Sequence, residues 1–359
     1  MIPMEKITPN PIKKYYIAYF DILGYKDFFK SNPNKAGEFL HILNQAITSS
    51  LEVIKSINES ILVSQFANMD VEHRIFSDNI LLTLEVGVDE EKERTRIYAF
   101  FVMICEIQRS FILEYGLFVR GALTVGELSV NNEYVFGNGL IEAVDMEETT
   151  VYPRIAISND MLALLEVKAS YTNEEYEKAI MLEKQYNDSV DISLQDRDFL
   201  SKIQKLAFRY YFEKMLFNFL IYPSADGVKC LSYLYVFDVH SFISEKDISQ
   251  VTELMGKIYP KDSVRLSKQS PDIGKVLDCH KKRIEYNLIR YSDYSSIDIQ
   301  NIVGFDRQER VLKKYIWSMV YHNRMCQFYN KLDYYINTQA NCENRHMKMM
   351  INVLGTREE

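Results

Sequence analysis

The 359-residue chain contains only five cysteines, and no two of them form a CxxC pair. Their odd number and wide spacing argue against a disulfide framework and against a zinc ribbon. Two pairs with a spacing of four residues remain, His322 with Cys326 and Cys342 with His346, and each could present two metal ligands on one helix face. The first pair shares a helical stripe with apolar residues, so we expect it to line the core.

Long apolar runs and blocks of one charge are also missing. The longest uncharged stretches, such as Ile97 to Cys105 and Met215 to Ala225, fall short of the roughly 18 residues that cross a bilayer. The N-terminus lacks the apolar stretch of a signal peptide. With 42 Lys plus Arg against 50 Asp plus Glu, the net charge is −8. This balance disfavours broad binding to nucleic acid or to anionic membranes, and we expect a cytoplasmic protein.

Glycine and proline are modest in number, with 13 and 8 residues, while 47% of the chain is apolar and 26% is charged. These values lie near the average of soluble globular proteins and exclude collagen-like and disordered chains. Aromatic residues make up 13% of the chain, and we expect most of them in the core and at interfaces. The length allows one large domain or a core with a smaller companion.

The N-terminal half begins with a strand pattern. The run from Tyr15 to Phe20 is short, aromatic and β-branched, which predicts a buried strand. Apolar residues then recur at helical spacing between 34 and 57, which predicts a helix. A hairpin is predicted over 71–84, with Asp78 at its tip.

A second long helix is predicted up to Tyr115, with Gly116 as its C-cap. Strand patterns follow at Phe118 to Val125 and at Tyr134 to Phe136, and a Gly-Asn-Gly segment opens a helix that reaches about Thr149. The order is therefore strand, helix, strand, strand, helix, strand. This order predicts an α+β fold of the ferredoxin-like type, in which one sheet carries helices on a face.

The rest of the chain is mostly helical in pattern. Residues 161–219 have a helical and charged pattern, and residues 230–239 have a strand pattern. The strongest helix pattern covers residues 310–323. We predict a main domain over residues 10–245 and a helical C-terminal extension over residues 246–359. The extension could cover the core or build a dimer interface.

Two acidic residues lie where neighbouring strands are predicted to end. Asp21 ends the first strand, and Asp78 lies at the tip of the next hairpin. Adjacent strands are about 4.8 Å apart, so the two carboxylates can share a pair of divalent cations. This is the two-metal arrangement for attack on phosphorus, in which one ion activates the attacking oxygen and the other holds the leaving phosphates.

Four segments together resemble the catalytic domains of class III nucleotidyl cyclases, which carry an FxDIxGF-like segment, a hairpin Asp, an R-x-G strand and an FG-x(5)-A-x-x-x-E helix. The segments are YFDILGY around Asp21, RIFSDNILL around Asp78, FVRGALTVGEL from Phe118, and VFGNGLIEAVDMEE up to Glu148. The FSD, VRG and PRI tripeptides look most similar to the bacterial pyrimidine nucleotide cyclases of Pycsar antiphage systems. The resemblance covers about Tyr15 to Ser158.

The resemblance implies roles for individual residues. Asp21 and Asp78 become the ligands of two divalent cations, Mn²⁺ or Mg²⁺, with the Ile22 carbonyl as a further oxygen. Gly24 and Tyr25 then frame the triphosphate, which suits a helix start with free N–H groups. Arg74 stands where purine cyclases keep a base-reading Lys, and its guanidinium could donate to a pyrimidine carbonyl.

The sequence departs from the family pattern on the helix after the FG segment. Purine cyclases carry an Asn and a transition-state Arg there, whereas this chain has Ile141 and Asp145. Either Arg120 or Arg154 supplies the missing cation, or the site is inactive, and Arg120 is preferred because it lies on a core strand. Arg120 also fits a structural ion pair, and Arg74 also fits a cross-strand partner.

The function that the resemblance implies is a uridylate cyclase, which makes 3′,5′-cyclic UMP and diphosphate from UTP as a second messenger in antiphage defence. A homodimer with the active site at its interface and a separate effector that binds the product are implied as well. The alternatives are a cytidylate or adenylate cyclase, or a catalytically inactive cyclase-like module that binds a nucleotide and regulates a partner.

Overall fold

The computed structural model describes residues 11–31, 33–35, 70–88, 90–131, 133–166, 172–188, 193–203, 220–234, 273–292 and 302–337, and a few positions between 37 and 48. The strands in these ranges are β1 (Lys13–Leu23), β2 (Val71–Phe76), β3 (Asn79–Glu85), β4 (Phe118–Val130), β5 (Val135–Phe136), β6 (Ile155–Ile157), β7 (Ile221–Pro223) and β8 (Lys229–Leu231). The helices are α1 (Tyr25–Ser31), α2 (Glu90–Tyr115), α3 (Asn138–Thr149), α4 (Asn159–Leu165), α5 (Asn173–Asn187), α6 (Ile273–Ser292) and α7 (Ile302–Phe328). Residues 194–203 are also helical, and short 3₁₀ turns cover Pro33–Lys35 and Leu332–Tyr334.

The strands form one mixed sheet in the order β2-β3-β1-β4-β6-β8-β7, with β5 paired to β4. The pairs β2–β3, β3–β1 and β1–β4 are antiparallel. Helix α2 connects β3 to β4, which lies on the other side of β1. This is the ferredoxin-like order, so the predicted α+β fold is confirmed. Strand β6 extends the sheet parallel to β4, and β8 and β7 continue it antiparallel.

Strand β1 is central and is buried on both faces, which explains its nearly continuous apolar sequence. Alternate side chains face opposite sides of the sheet. Tyr16, Ala18 and Phe20 belong to the large hydrophobic cluster under α2, and Tyr15 and Ile17 belong to a smaller cluster with residues of β3, β4 and α3. The predicted strand is therefore confirmed and extends several residues beyond the predicted run.

Helix α3 lies unusually close to the sheet because two glycines meet where it crosses β4. A Cβ atom on Gly139 would lie 2.9 Å from the Cα atom of Gly126 and would overlap the side chain of Ile17. Any larger side chain at either glycine would push the helix away from the strand. The Gly-Asn-Gly segment thus starts the helix and also fixes how near its later residues come to β1.

The C-terminal helices pack on the same core as the sheet. Residues of α6 and α7 share the large hydrophobic cluster with the strands. Phe118 contacts the rings of His280 and Tyr315 edge-on, at centroid distances of 5.3 Å and 5.9 Å. Trp317 Nε1 donates to Ser224 Oγ at 2.9 Å, beside β7. In the described part of the chain, these helices cover one end of the sheet.

Several sequence predictions agree with the elements and others fall outside the described ranges. The hairpin, the long helix that ends before Gly116 (φ +60°), the helix after the Gly-Asn-Gly segment and the strong helix at 310–323 are confirmed. The helix predicted over 34–57 lies largely outside the described residues. So do residues 235–239 of the predicted strand and the boundary near 245, which stays a prediction.

The spaced pair His322 and Cys326 lies inside the core, as expected. Cys326 Sγ is 3.3 Å from His322 Nε2, and His322 Nδ1 is 3.0 Å from His280 Nδ1. Burial lowers the pKa of His322 to about 4, so the ring is neutral at ordinary pH. Within the described ranges, no three His, Cys, Asp or Glu side chains are grouped to hold a metal ion. Cys342 and His346 lie outside these ranges.

None of the helices in the described part of the chain combines the length and the apolar character that a membrane span requires.

Candidate active site

The two acidic residues singled out in the sequence lie side by side at one edge of the sheet. Strand pairing sets Asp21 opposite Asn79, the first residue of β3. The Ile22 N–H then donates to the Asp78 carbonyl at 2.9 Å. A two-residue turn at Ser77 and Asp78 closes the hairpin, with Ser77 at φ +61°. The tip of the hairpin is therefore tied by its backbone to the end of β1.

Both acids line a cavity of about 450 Å³, a volume typical of small-molecule sites. One wall comes from the end of β1 and the start of α1, and the opposite wall comes from the C-terminal helices. The lining residues are Asp21, Ile22, Leu23, Gly24, Tyr25, Lys26, Asp78, Phe118, Pro153, Tyr291, Gln308, Val311, Lys314 and Tyr315. The cavity thus joins the motif region with a part of the chain that carries none of the motifs.

Gly24 makes the sharp turn between β1 and α1. Its φ of +82° lies in the left-handed region, where a side chain would be strained. The Gly24 carbonyl accepts the Phe28 N–H at 3.0 Å, which closes the first turn of α1. The Tyr25 ring packs on Phe29 at a centroid distance of 4.4 Å. This turn brings the backbone of residues 24 and 25 to the cavity wall.

Arg120 lies directly across from Asp21 in the same chain, because the two residues are paired in the β1–β4 ladder. Its Nε atom is 3.4 Å from Asp21 Oδ2 and 2.8 Å from Glu147 Oε1. The Nε–H group makes no hydrogen bond of good geometry with any residue that the structure describes. The guanidinium lies between two carboxylates, and its Nη1 donates to the Thr150 carbonyl at 3.4 Å.

Glu147 is a site residue that the sequence reasoning did not assign. It is the final Glu of the FG-x(5)-A-x-x-x-E segment, so the signal was present in the quoted motif. The close approach of α3 at Gly139 carries it inward, and its side chain is only 8% exposed. Burial raises the pKa of Glu147, Arg120 opposes the shift, and Asp21 adds to it.

The residues fit divalent cations on the chemistry of their donors. Burial raises the pKa of Asp21, Arg120 partly offsets the effect, and the neighbouring Asp78 raises the pKa further. The negative charge of Asp78 thus disfavours ionisation of Asp21, and a divalent cation bound by both carboxylates would remove this repulsion. Mg²⁺ is usually held by one or two carboxylates together with substrate phosphates. Asp21, Asp78 and the backbone oxygen of Ile22 would supply such ligands.

None of the three arginines singled out in the sequence is a lining residue of this cavity, and only Arg120 lies beside Asp21. Arg74 and Arg154 have other partners. Arg74 Nη2 donates to the Asn131 carbonyl at 2.7 Å, so it connects β2 with the turn after β4. Arg154 is buried and forms two hydrogen bonds with the carboxylate of Asp226, at 2.7 Å and 2.6 Å. In this chain both arginines have structural partners away from Asp21.

The residues at the two positions where the sequence departs from the cyclase pattern lie on the outer side of α3. Ile141 is 59% exposed, and Asp145 is also exposed. Together with Asn138, Glu142, Met146 and Thr149 they line a separate open depression. The structure therefore does not bring Ile141 or Asp145 to the cavity of Asp21 in the same chain.

Lys314 is a further charged residue of the site that the sequence reasoning did not assign. It lies on α7, beside the buried stripe that contains Val311 and Tyr315, and is half-buried. Burial lowers the pKa of Lys314 and the nearby Arg120 lowers it further, whereas Asp21 and Glu147 raise it. Helical periodicity indicates that the residue borders the core, but it carries no information about which cavity the residue reaches.

Comparison with known proteins finds similarity only among solved structures. No protein-family model matches the chain, and no curated protein matches it. The chain is similar to the monomeric guanylyl cyclase domain of the RhoGC fusion protein from the aquatic fungus Blastocladiella emersonii, at 18% identity and a TM-score of 0.33, over 44% of this chain and 88% of that chain. A class III adenylyl cyclase-like ATP-binding protein from Pseudomonas aeruginosa is similar at 16% identity and a TM-score of 0.27, over 44% of this chain and 36% of that chain. Similarity at this level does not assign a function to this chain.

Proposed function

We propose that the chain is a nucleotidyl cyclase that converts a nucleoside triphosphate to its 3′,5′-cyclic monophosphate and diphosphate. The observation that carries the proposal is the pair Asp21 and Asp78, held together by the Ile22–Asp78 backbone bond at the wall of a nucleotide-sized cavity. The 3′ hydroxyl gives its proton to water and its oxygen bonds to the α-phosphorus. The bond from that phosphorus to the diphosphate oxygen breaks, and diphosphate leaves with the electron pair. Divalent cations bound by the carboxylates would activate the attacking oxygen and neutralise the phosphates.

The remaining groups in and beside the cavity act by binding and by charge. Gly24 and Tyr25 lie where the triphosphate would rest against the turn after β1. Arg120 is the cation nearest to Asp21 and supplies the positive charge that Asp145 cannot supply. Moving the guanidinium from Asp21 and Glu147 toward the phosphorus would place it opposite the charge that develops in the transition state.

The test of this function is product analysis. The purified protein is incubated with each of the four ribonucleoside triphosphates and with Mn²⁺ or Mg²⁺, and the products are identified by mass. Formation of a cyclic monophosphate and diphosphate supports the proposal. Absence of a cyclic product under all of these conditions would contradict it.

A second candidate is a catalytically inactive module that binds a nucleotide and regulates a partner. The observation that favours it is the placement of Ile141 and Asp145, since the family's Asn and Arg are missing and α3 exposes their replacements. Triphosphate binding without any product in the same incubation would favour this candidate over the cyclase.

The base that we propose is uracil, with cytosine and adenine as alternatives, and the proposed context is antiphage signalling through a separate effector. Support for the base comes from the resemblance and from Arg74, whose guanidinium offers several donors to a pyrimidine carbonyl. Within one chain, Arg74 donates a hydrogen bond to the Asn131 carbonyl and lies outside the cavity. It could contact a base in this cavity only if the hydrogen bond to Asn131 broke. Alternatively, Arg74 of one subunit could contact the base bound by a second subunit.

We expect Arg74→Ala to reduce turnover of UTP and to flatten the discrimination between UTP and CTP. A donor aimed at the uracil O4 faces an amino group in cytosine, and such a mismatch costs about 1–3 kcal/mol, or roughly ten- to hundredfold in preference. The measurement is kcat/KM for both nucleotides. Arg96→Ala is the matched control, because Arg96 also donates to a backbone carbonyl and also has a Glu partner. An unchanged base preference in Arg74→Ala would contradict base recognition by Arg74 and would indicate that it only connects β2 with the turn after β4.

We also propose a homodimer, which the resemblance implies. Phe76, Phe136 and Ile141 are large apolar side chains with 54%, 71% and 59% of their surface exposed, and a second copy could cover them. We expect sedimentation at assay concentration to show a dimer. A monomer with full turnover at that concentration would contradict the proposal. Because Arg120 and Asp21 are paired within one chain, mixing Asp78→Ala with Arg120→Ala is not expected to restore activity.

A further inference from the structure

Helix α7 brings a lysine into the cavity that contains both acids. Lys314 lines this cavity with Asp21 and Asp78 although it is almost 300 positions from Asp21 in the chain. No hydrogen-bond or ion-pair partner of its ammonium group is found among the residues that the structure describes. The adjacent Lys313 differs, since its Nζ lies 2.9 Å from Glu309 Oε1 and its side chain is 42% exposed. A half-buried ammonium without a carboxylate partner is a ready site for an anion.

The charges of the cavity indicate which kind of anion fits. Its charged lining residues are Asp21, Asp78, Lys26 and Lys314, which sum to zero. Arg120 and Glu147 next to them cancel each other. Two divalent cations on the carboxylates would give the cavity four positive charges, and a nucleoside triphosphate carries about four negative charges near neutral pH. Without Lys314 the cavity would carry one positive charge too few to balance the triphosphate.

We propose that Lys314 binds the triphosphate of the substrate from the C-terminal helix of the same chain. The inference rests on the proposed function for the identity of the substrate, but its chemistry requires only a polyphosphate with divalent cations. An ammonium group has three donors and acts as a compact charge that can contact oxygens of more than one phosphate. The C-terminal helices then form a wall of the active site, and residues 302–328 contribute directly to substrate binding.

The experiment measures binding of inorganic triphosphate in the presence of Mg²⁺ by titration calorimetry, on the full chain. We expect Lys314→Met, which is unbranched and one atom shorter and removes the charge, to weaken binding by about ten- to hundredfold. Lys313→Met is the matched control and is expected to bind like the unchanged protein. Lys314→Arg restores the charge and is expected to recover part of the affinity.

A structural role for Lys314 would give a different result. If the side chain contacts phosphate, the loss in Lys314→Met is large for triphosphate, smaller for a nucleoside monophosphate and absent for a nucleoside. An equal loss for all three ligands would indicate a distorted cavity and would overturn the inference. Lys314→Gln is a second variant, and thermal unfolding of both variants identifies any that do not fold.

The outcomes separate this inference from the proposed function. If the unchanged protein binds triphosphate through Lys314 but makes no cyclic product, the inference stands and the cyclase proposal fails. If the protein makes a cyclic product and Lys314→Met has unchanged triphosphate affinity and KM, the cyclase proposal stands and the inference fails. Failure of the unchanged protein to bind triphosphate would also overturn the inference.

Discussion

Replacing Asp78 with Asn is expected to abolish formation of a cyclic nucleotide, with a loss of about a thousandfold or more. The amide keeps the size of the side chain but removes the negative charge that a divalent cation requires. Asp78 is half-buried at a hairpin tip, so the change opens no cavity in the core. Asp21→Asn is expected to have the same effect, although Arg120 then keeps only Glu147 as its carboxylate partner.

The measurement is the initial rate of product formation at saturating Mn²⁺ or Mg²⁺, together with thermal unfolding to show that the variants fold. Asp188→Asn is the control, because Asp188 is an exposed acid at the end of α5 and lies outside the cavity. Its rate is expected to be unchanged. Near wild-type turnover by Asp78→Asn would contradict a site in which the two carboxylates hold the metal ions.

The place of each acid within its own structural element could be predicted from the sequence. Strands β1 and β3 are neighbours in the sheet. The β2–β3 hairpin turns directly before β3, so its tip lies beside the end of β1. Alternating burial and turn residues are encoded within short windows, so Asp21 could be placed at the end of a strand and Asp78 at a hairpin tip. That the two acids meet depends on the pairing of β1 with β3, which the ferredoxin-like order of the elements predicts. Their role as metal ligands stays a prediction.

The rest of the site depends on contacts between distant segments, which sequence patterns do not specify. Glu147 reaches Arg120 only because Gly139 lets α3 lie against Gly126. Lys314 reaches the cavity because α7 packs across the end of β4, and its helical pattern would be the same on any other surface. Arg74 and Arg154 were candidates on the basis of short motifs, and their partners Asn131 and Asp226 lie 57 and 72 residues away.

Arg154→Leu is expected to lower the free energy of unfolding by about 3 kcal/mol, measured by urea denaturation. The side chain of Arg154 is 4% exposed, and its guanidinium makes two hydrogen bonds with Asp226 while facing the rings of Tyr152 and Trp317. Its removal leaves the Asp226 carboxylate, which is 34% exposed, without its partner. Lys13→Leu removes an exposed ion pair with Glu85 and is expected to change stability little.

The pair also predicts a dependence on pH. Burial of Asp226 opposes its ionisation, but the hydrogen bonds and charge of Arg154 outweigh burial and lower the pKa of Asp226. The stabilisation is therefore present above the ordinary pKa of about 3.8 and is lost as the pH falls through the lower value of the folded state. The difference in stability between the unchanged protein and Arg154→Leu should shrink in that acidic range. A difference that is constant down to the acid transition would contradict this account.

The double variant Arg154→Leu with Asp226→Leu decides whether Arg154 or Arg120 supplies the catalytic cation. Replacing both partners of a buried pair by apolar side chains is often neutral, so the double variant is expected to recover most of the stability that Arg154→Leu loses. If Arg154 only holds β6 against the turn between β7 and β8, the recovered fold also recovers turnover, whereas Arg120→Leu stays inactive. A stable double variant without turnover would instead assign the catalytic charge to Arg154. Because Arg120 is 3.4 Å from Asp21 and the Arg154 guanidinium is bonded to Asp226, we expect the first result.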